Sequence, residues 1–256
     1  MMAILNVTPD SFSDGGRWFQ QEQAIARGHE MIDEGADIVD VGGESTRPGA
    51  APVALDEELR RVIPVVEALA DQVRVSVDTT KEAVAEAAVE VGASLINDVS
   101  ASLWPVAARR QVGWVAMHRQ GTPTTMQQDP RYDDVVAEVA ALLVDRAARA
   151  IEAGVDEVWI DPGIGFGKTA DHNLALLGSL DQLVATGYPV MVGTSRKSFL
   201  GTLAGADGGT APPPGDRLPG SLATATWAMA QGAGMVRVHD VSPSVQAAVL
   251  VGRVGS

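Results

Sequence analysis

The chain has 256 residues, 46% of them hydrophobic, enough for one large domain with a sizeable core. Its net charge of −14 argues against a general nucleic-acid or membrane-surface binder, since both need a positive face. It has no cysteine, which excludes disulfides, thiolate metal sites and a cysteine nucleophile, and no run of about 18 apolar residues that would span a bilayer.

Apolar runs rich in Val and Ile recur in order: "MAILNV", "DIVDVGG", "RVSVDT", "SLINDV", "GWVAMHR", "EVWIDPG", "YPVMVGTS" and "GMVRVHD". They are near-continuous rather than alternating, the pattern of parallel strands covered by helices. Between them lie "QEQAIARGHEMIDEGA", "LDEELRRVIPVVEALADQ", "KEAVAEAAVEVGA" and "YDDVVAEVAALLVDRAARAIEAG". Apolar residues there recur at three- and four-residue spacing, and several stretches end in Gly, which predicts helices. "SLWPVAARRQV" predicts a short fourth helix. Eight such units in about 250 residues predict an α/β fold, a single-domain (β/α)8 TIM barrel over residues 1–256. The rival is a doubly wound open sheet, usually with fewer strands and one dominant glycine turn. The stretch "GADGGTAPPPGD", residues 205–216, reads as a flexible loop inserted in the seventh connection.

Barrel active sites form at the C-terminal ends of the strands. Those ends carry Asn6, Asp40 with Glu44, Asp78, Asn97 with Asp98, His118, Asp161, Ser195 with Arg196 and Lys197, and Arg237 with His239. Any one of these is as readily a helix N-cap or turn residue. Polar endings on eight strands in register are hard to explain as packing. If Arg47, Lys168, Arg196, Lys197 and Arg237 converge, they form a positive pocket in a negative protein, suited to a phosphate or carboxylate. For Lys168 a solvated loop charge is an equal reading. Asp78, Asn97 and Asp161 could together read the edge of a flat, nitrogen-rich heterocycle. A metal cage of the two acids is the alternative, without the tight carboxylate cluster of a dedicated site. The glycines of "DPGIGFGK" fit neither a phosphate loop nor a dinucleotide fingerprint in spacing.

"LNVTPDSFSDGG", "DVGGESTRPGA", "SVDT", "INDV", "DPGIGFGK", "SRKSFLG" and "RVHDV" occur in this order. With them the chain resembles the dihydropteroate synthase family over essentially its whole length. The resemblance implies a transferase of folate biosynthesis. Such an enzyme condenses 6-hydroxymethyl-7,8-dihydropterin pyrophosphate with 4-aminobenzoate, giving 7,8-dihydropteroate and pyrophosphate. It implies a pterin site of Asp78, Asn97, Met117, Asp161, Lys197 and Arg237, with Asp78, Asp161, Lys197 and Arg237 as the catalytic set. The pyrophosphate would meet Asn6, Arg237 and His239, and a Mg2+ would be held by Asn6 and pyrophosphate oxygens. The aminobenzoate would lie near Phe12, Thr46, Arg47, Pro48, Phe166, Lys197 and Ser198. The loops after the first two strands look like lids that order over the substrates. Pyrophosphate leaves readily once Mg2+ and arginine neutralise its charge, and an electron-rich pterin can share the positive charge left behind. The aniline nitrogen is a weak nucleophile, so a dissociative path suits it and needs no strong base.

Sensitivity to sulfonamides, which mimic 4-aminobenzoate, follows from the resemblance, as does a homodimer joined through the last helices. No nucleic-acid or membrane partner is expected. "MMAILNVTPDS" lacks a basic n-region, so the expected location is cytoplasmic. Two alternatives stand beside the synthase: a methyltetrahydrofolate-binding methyltransferase module, which needs no pyrophosphate site, and a non-catalytic pterin-binding paralogue. Thr46-Arg47-Pro48, Ser195-Arg196-Lys197 and Arg237-Val238-His239 favour the synthase. Three departures from the family are expected: no strand or hairpin before the first strand, a short connection from Asp98 to His118, and a short last helix from the brief tail "LVGRVGS". Trp104, Trp114, Trp159 and Trp227 read as packing residues. His29 and His172 read as surface or packing residues, and His118 has no catalytic assignment.

Overall fold

The computed structural model describes residues 1–8, 17–45, 49–122, 124–206 and 209–254, with 17–20 described by their backbone alone. Eight strands form the sheet: β1 (Met2–Asn6), β2 (Ile38–Gly42), β3 (Arg74–Asp78), β4 (Leu95–Asp98), β5 (Gly113–Met117), β6 (Val158–Asp161), β7 (Met191–Val192) and β8 (Met235–Val238). They run parallel in the order β6-β5-β4-β3-β2-β1-β8-β7. A parallel bridge between Ile160 and Val190 joins the two ends, with the Ile160 N–H donating to Pro189 O at 3.0 Å. The sheet is therefore a (β/α)8 barrel, as the eightfold repeat predicts.

The helices are α1 (Arg17–Asp33), α2 (Leu55–Leu69), α3 (Glu82–Glu90), α4 (Trp104–Arg110), α5 (Val135–Glu152), α6 (Ala170–Gly178), α7 (Leu180–Val184), α8 (Ser198–Ala204), α9 (Leu218–Ala230) and α10 (Val241–Val254). The fourth is short, as expected, at seven residues. The last is not short: α10 runs for 14 residues. The tail continues a helix that already buries Val241 and packs Val245 on the core, and Gly252 alone does not stop it. Among the described residues of the 205–216 insertion, the one regular feature is a 3-10 turn at Pro214–Asp216.

Side chains alternate across each strand, so every strand serves two cores. The outer face meets the helices, where Val39, Val77, Ile96, Trp114 and Ile160 join Val66, Leu69, Leu143 and Leu176. Full burial of such side chains contributes about 1.5–3 kcal/mol each. The inner face is a separate plug of Met2, Ile38, Leu95, Val115, Met191 and Met235, with Trp159 against it. Trp114 and Trp159 thus pack as expected. Trp104 is partly buried on the outer core, whereas Trp227 donates to Leu177 O at 2.7 Å and is 48% exposed.

Below the plug, Arg74 on β3 makes a two-pronged pair with Glu157 ahead of β6 (2.9 and 2.5 Å). Gly113 lies between them, where a Cβ would sit 2.7 Å from Glu157 Oε2. Above the plug, the same inward parity reaches Asn6, Asp40, Asp78, Asn97, Met117, Asp161 and Arg237. An apolar floor under a polar ring is what positions the site.

Candidate active site

The ring is built around Arg237. Its Nε donates to Asp40 Oδ2 at 2.6 Å and its Nη2 to Asp78 Oδ2 at 2.7 Å. Asn97 Nδ2 donates to the same Asp40 oxygen at 2.9 Å. Three residues expected to read a heterocycle or its pyrophosphate are thus joined by a fourth. Asp40 was legible as a strand-end acid but not as the partner of both Arg237 and Asn97. Four buried atoms on the neighbouring strands β2, β3 and β4 have no hydrogen-bond partner among the described residues: Asp40 Oδ1, Ser76 Oγ, Asp78 Oδ1 and Asn97 Oδ1. Burial pushes the Asp78 carboxyl up to about 7 against the pull of Arg237, with Asp40 adding repulsion. Burial opposes the charge on Arg237, but Asp40 and Asp78 outweigh it and hold the guanidinium more firmly protonated than usual.

Asp161 closes β6 on the opposite side and is 2% exposed. Its Oδ1 accepts the Gly163 N–H at 2.7 Å. Burial raises its pKa against the attraction of Lys197 and that N–H. Lys197 turns its Nζ inward onto Ile164 O, 4.7 Å from the Phe166 ring centroid. Burial lowers its amine to about 8, with Asp161 opposing the shift. Met117, buried at the end of β5, pairs in register with Asp161.

The glycine loop between Asp161 and Lys168 is a run of left-handed turns, at φ 64° for Gly163, 85° for Gly165 and 66° for Gly167. Close approach adds to the demand: a Cβ on Gly163 would lie 1.8 Å from His118 O, and one on Gly167 2.3 Å from Gln120 O. Asn173 Oδ1 accepts the Gly165 N–H at 2.7 Å, and Tyr132 Oη donates to Gly167 O at 2.7 Å. Lys168 fastens the loop from beneath. Its Nζ donates to Gly163 O (3.0 Å) and Phe166 O (3.1 Å) and lies 2.9 Å from His118 Nδ1. The reading of Lys168 as a solvated loop charge fails, because it is 2% exposed and its donors are spent on the loop. Burial lowers Lys168 to about 7, and burial together with Lys168 lowers His118 to about 3. His118 is therefore a neutral acceptor at Nδ1 and a structural residue. His172 sits in the capping box of α6 with Thr169.

Among the described basic residues, Lys197 lies close enough to Arg237 and Lys168 to feel their charge, but most of the cations are already partnered. Arg196 is paired with Asp240, Arg237 with two acids, and Lys168 is beneath the loop. Asp98 takes the bland role: it accepts from the Ser100, Ser102 and Leu103 N–H groups (2.8, 2.7 and 2.6 Å) and from Trp114 Nε1. Glu44 pairs with Lys81, which also meets buried Glu58. His239 receives Ser195 Oγ at 3.0 Å from its Nδ1. Ser198 opens α8 and is exposed. Asn6 ends β1, and a Cβ on Gly42 would lie 3.8 Å from its Oδ1 and 3.7 Å from Asp78 Oδ2, so the two oxygens flank one small gap. No group of three or more His, Cys, Asp or Glu among the described residues could hold a metal ion. Phe12, Thr46, Arg47 and Pro48 lie outside the described residues.

Residues 2–239 match the family model described as pterin binding enzyme. The chain is 48% identical over 255 residues to the dihydropteroate synthase of Escherichia coli (strain K12), covering 96% of this chain and 88% of that protein. It superposes on Xanthomonas albilineans dihydropteroate synthase with 4-aminobenzoic acid at a TM-score of 0.91 and 46% identity, over 100% of this chain and 92% of the other. The Xanthomonas albilineans enzyme in complex with 7,8-dihydropteroate gives a TM-score of 0.88 and 43% identity, over 100% of this chain and 93% of the other.

Proposed function

The chain belongs to the dihydropteroate synthase family of pterin-binding enzymes, and from that premise we propose how its own residues join a dihydropterin pyrophosphate to 4-aminobenzoate. One observation carries the assignment of the pterin site: the unpartnered acceptors Asp78 Oδ1, Asn97 Oδ1 and Asp40 Oδ1, buried side by side. Each such orphan costs about 1–3 kcal/mol, and the amino and ring N–H groups of a pterin would satisfy them. Asp161 and Lys197 face the ring from the other side. Arg237 has its Nε and Nη2 taken by acids. Its flat face remains for stacking on the ring and its Nη1 for the pyrophosphate, with His239 beside it.

The bond from the pterin methylene carbon to the pyrophosphate oxygen breaks, and the electron pair leaves with pyrophosphate. The positive charge spreads into the pterin, where Asp78 and Asp161 oppose it. The amine nitrogen of 4-aminobenzoate then bonds to the carbon and gives its proton to solvent. Phe166, Lys197 and Ser198 would border the aminobenzoate, together with Phe12, Thr46, Arg47 and Pro48. Asn6 offers one hard oxygen where Mg2+ would be held by few protein ligands plus phosphate oxygens, and the ion when bound would neutralise charge on the leaving group. The test is turnover in chelator and after Mg2+ is restored: loss and recovery are expected, and full activity in chelator would remove the metal from the scheme.

The methyltransferase module and the non-catalytic paralogue are not favoured, because the similar chains are synthases, one of them in complex with dihydropteroate. The enzyme works as a homodimer in the cytoplasm on this reading. Support for the dimer comes from Trp227, Val249, Leu250 and Val254, exposed on α9 and α10, and no described helix is long and apolar enough to cross a membrane.

A further inference from the structure

We infer that Arg196 and Asp240 are positioning residues, whose ion pair aims Lys197 and His239 into the site. The inference rests on the substrate-facing roles proposed above for those two residues. Arg196 has a φ of 59°, a left-handed conformation that a side chain of its size adopts only where its surroundings over-determine it. Here they do. Its N–H donates to Ser221 Oγ at 2.9 Å, and its carbonyl accepts from Arg217 Nη1 at 3.0 Å. Its guanidinium meets Asp240 through a two-pronged contact, Nε to Oδ2 at 3.0 Å and Nη2 to Oδ1 at 2.5 Å.

One residue earlier, Ser195 Oγ accepts the His239 N–H at 3.1 Å and lies 3.0 Å from His239 Nδ1. The pair Ser195-Arg196 after β7 is thus fastened residue for residue to His239-Asp240 after β8. The fastening is needed because β7 is only two residues long and pairs with β8 at two positions, so the ladder ends before the turn begins. One residue later the chain is extended again at Lys197, whose Nζ reaches Ile164 O. Arg217 also donates from Nε to Pro212 O at 2.9 Å, so the 205–216 insertion braces the same turn. Arg196 is then a clamp, with its paired edge spent on Asp240 rather than on a substrate anion.

The test is steady-state kinetics of dihydropteroate formation, with thermal unfolding of the same samples. Arg196→Gly removes the clamp while suiting the left-handed backbone, and Asp240→Asn keeps the shape while removing the charge. Both are expected to unfold within a few degrees of the parent and to lose about 10- to 100-fold in kcat, with a smaller change in KM, as misplaced catalytic groups do. Arg196→Lys keeps the charge without the fork and is expected to fall between Arg196→Gly and the parent. Values of kcat within about twofold of the parent for both first variants would overturn the inference, as would loss of activity that merely follows loss of fold in both. An inactive parent would instead sink the proposed function, so the two failures are distinguishable.

Discussion

Asp161 spends one carboxylate oxygen on the Gly163 N–H at 2.7 Å and stays buried beside Lys197. Asp161→Asn keeps an acceptor for that bond but removes the charge facing the ring. We expect kcat/KM to fall by about 100-fold or more, close to 3 kcal/mol, with little change in unfolding temperature. Turnover near the parent's would take Asp161 out of the catalytic set. Asp78 gives a pH signature. Its carboxyl moves from 3.8 to about 7 on folding, chiefly by burial. The folded state therefore holds the proton more tightly, and the stability it contributes is present at low pH and lost as pH rises to about 7. Asp78→Asn, which cannot ionise, should be more stable than the parent at pH 8, by a margin that closes on acidification. Unfolding curves from pH 5 to 8 check this; a margin independent of pH would contradict it. Which strand ends carry polar groups could be read from the chain. That Asp40 binds both Arg237 and Asn97 could not, because the partners lie 197 and 57 residues away.

At the scale of elements, the glycine loop after β6 is the clearest case of a motif whose meaning changed. Its spacing already spoke against a phosphate cradle. The reason for the glycines is instead three left-handed turns, two of them passing against the backbone of His118 and Gln120 and the third against the Lys197 side chain. The fastening by Lys168 was not legible, since its partners are carbonyls within the loop and a histidine 50 residues earlier. Lys168→Met would strand Phe166 O and His118 Nδ1, while Gly163 O keeps the Phe166 N–H at 3.0 Å, so a loss of about 2–3 kcal/mol in urea unfolding is expected. Retained stability would show that Lys168 is not what fastens the loop. The last helix was misjudged from its tail because the residues ahead of the tail, not the tail itself, carry the packing.

For the whole molecule, near-continuous apolar strands separated by helical patterns were enough to give the barrel, because each βα unit repeats the same burial problem eight times. Charge placement was less legible, since most cations that looked free are held by acids or carbonyls of distant elements. The exposed apolar side chains of α9 and α10 belong to this scale. If they form the dimer face, Leu250→Glu should give monomers by sedimentation where the parent gives dimers, with the barrel still folded; a parent that sediments as a monomer would remove the homodimer. The most direct measurement is of the reaction itself. Purified protein is given 6-hydroxymethyl-7,8-dihydropterin pyrophosphate, 4-aminobenzoate and Mg2+, and 7,8-dihydropteroate and pyrophosphate are quantified together. The two should appear in equal amounts, only with both substrates present, and a sulfonamide should suppress them competitively with 4-aminobenzoate. Folded protein that forms neither product above background would contradict the assignment.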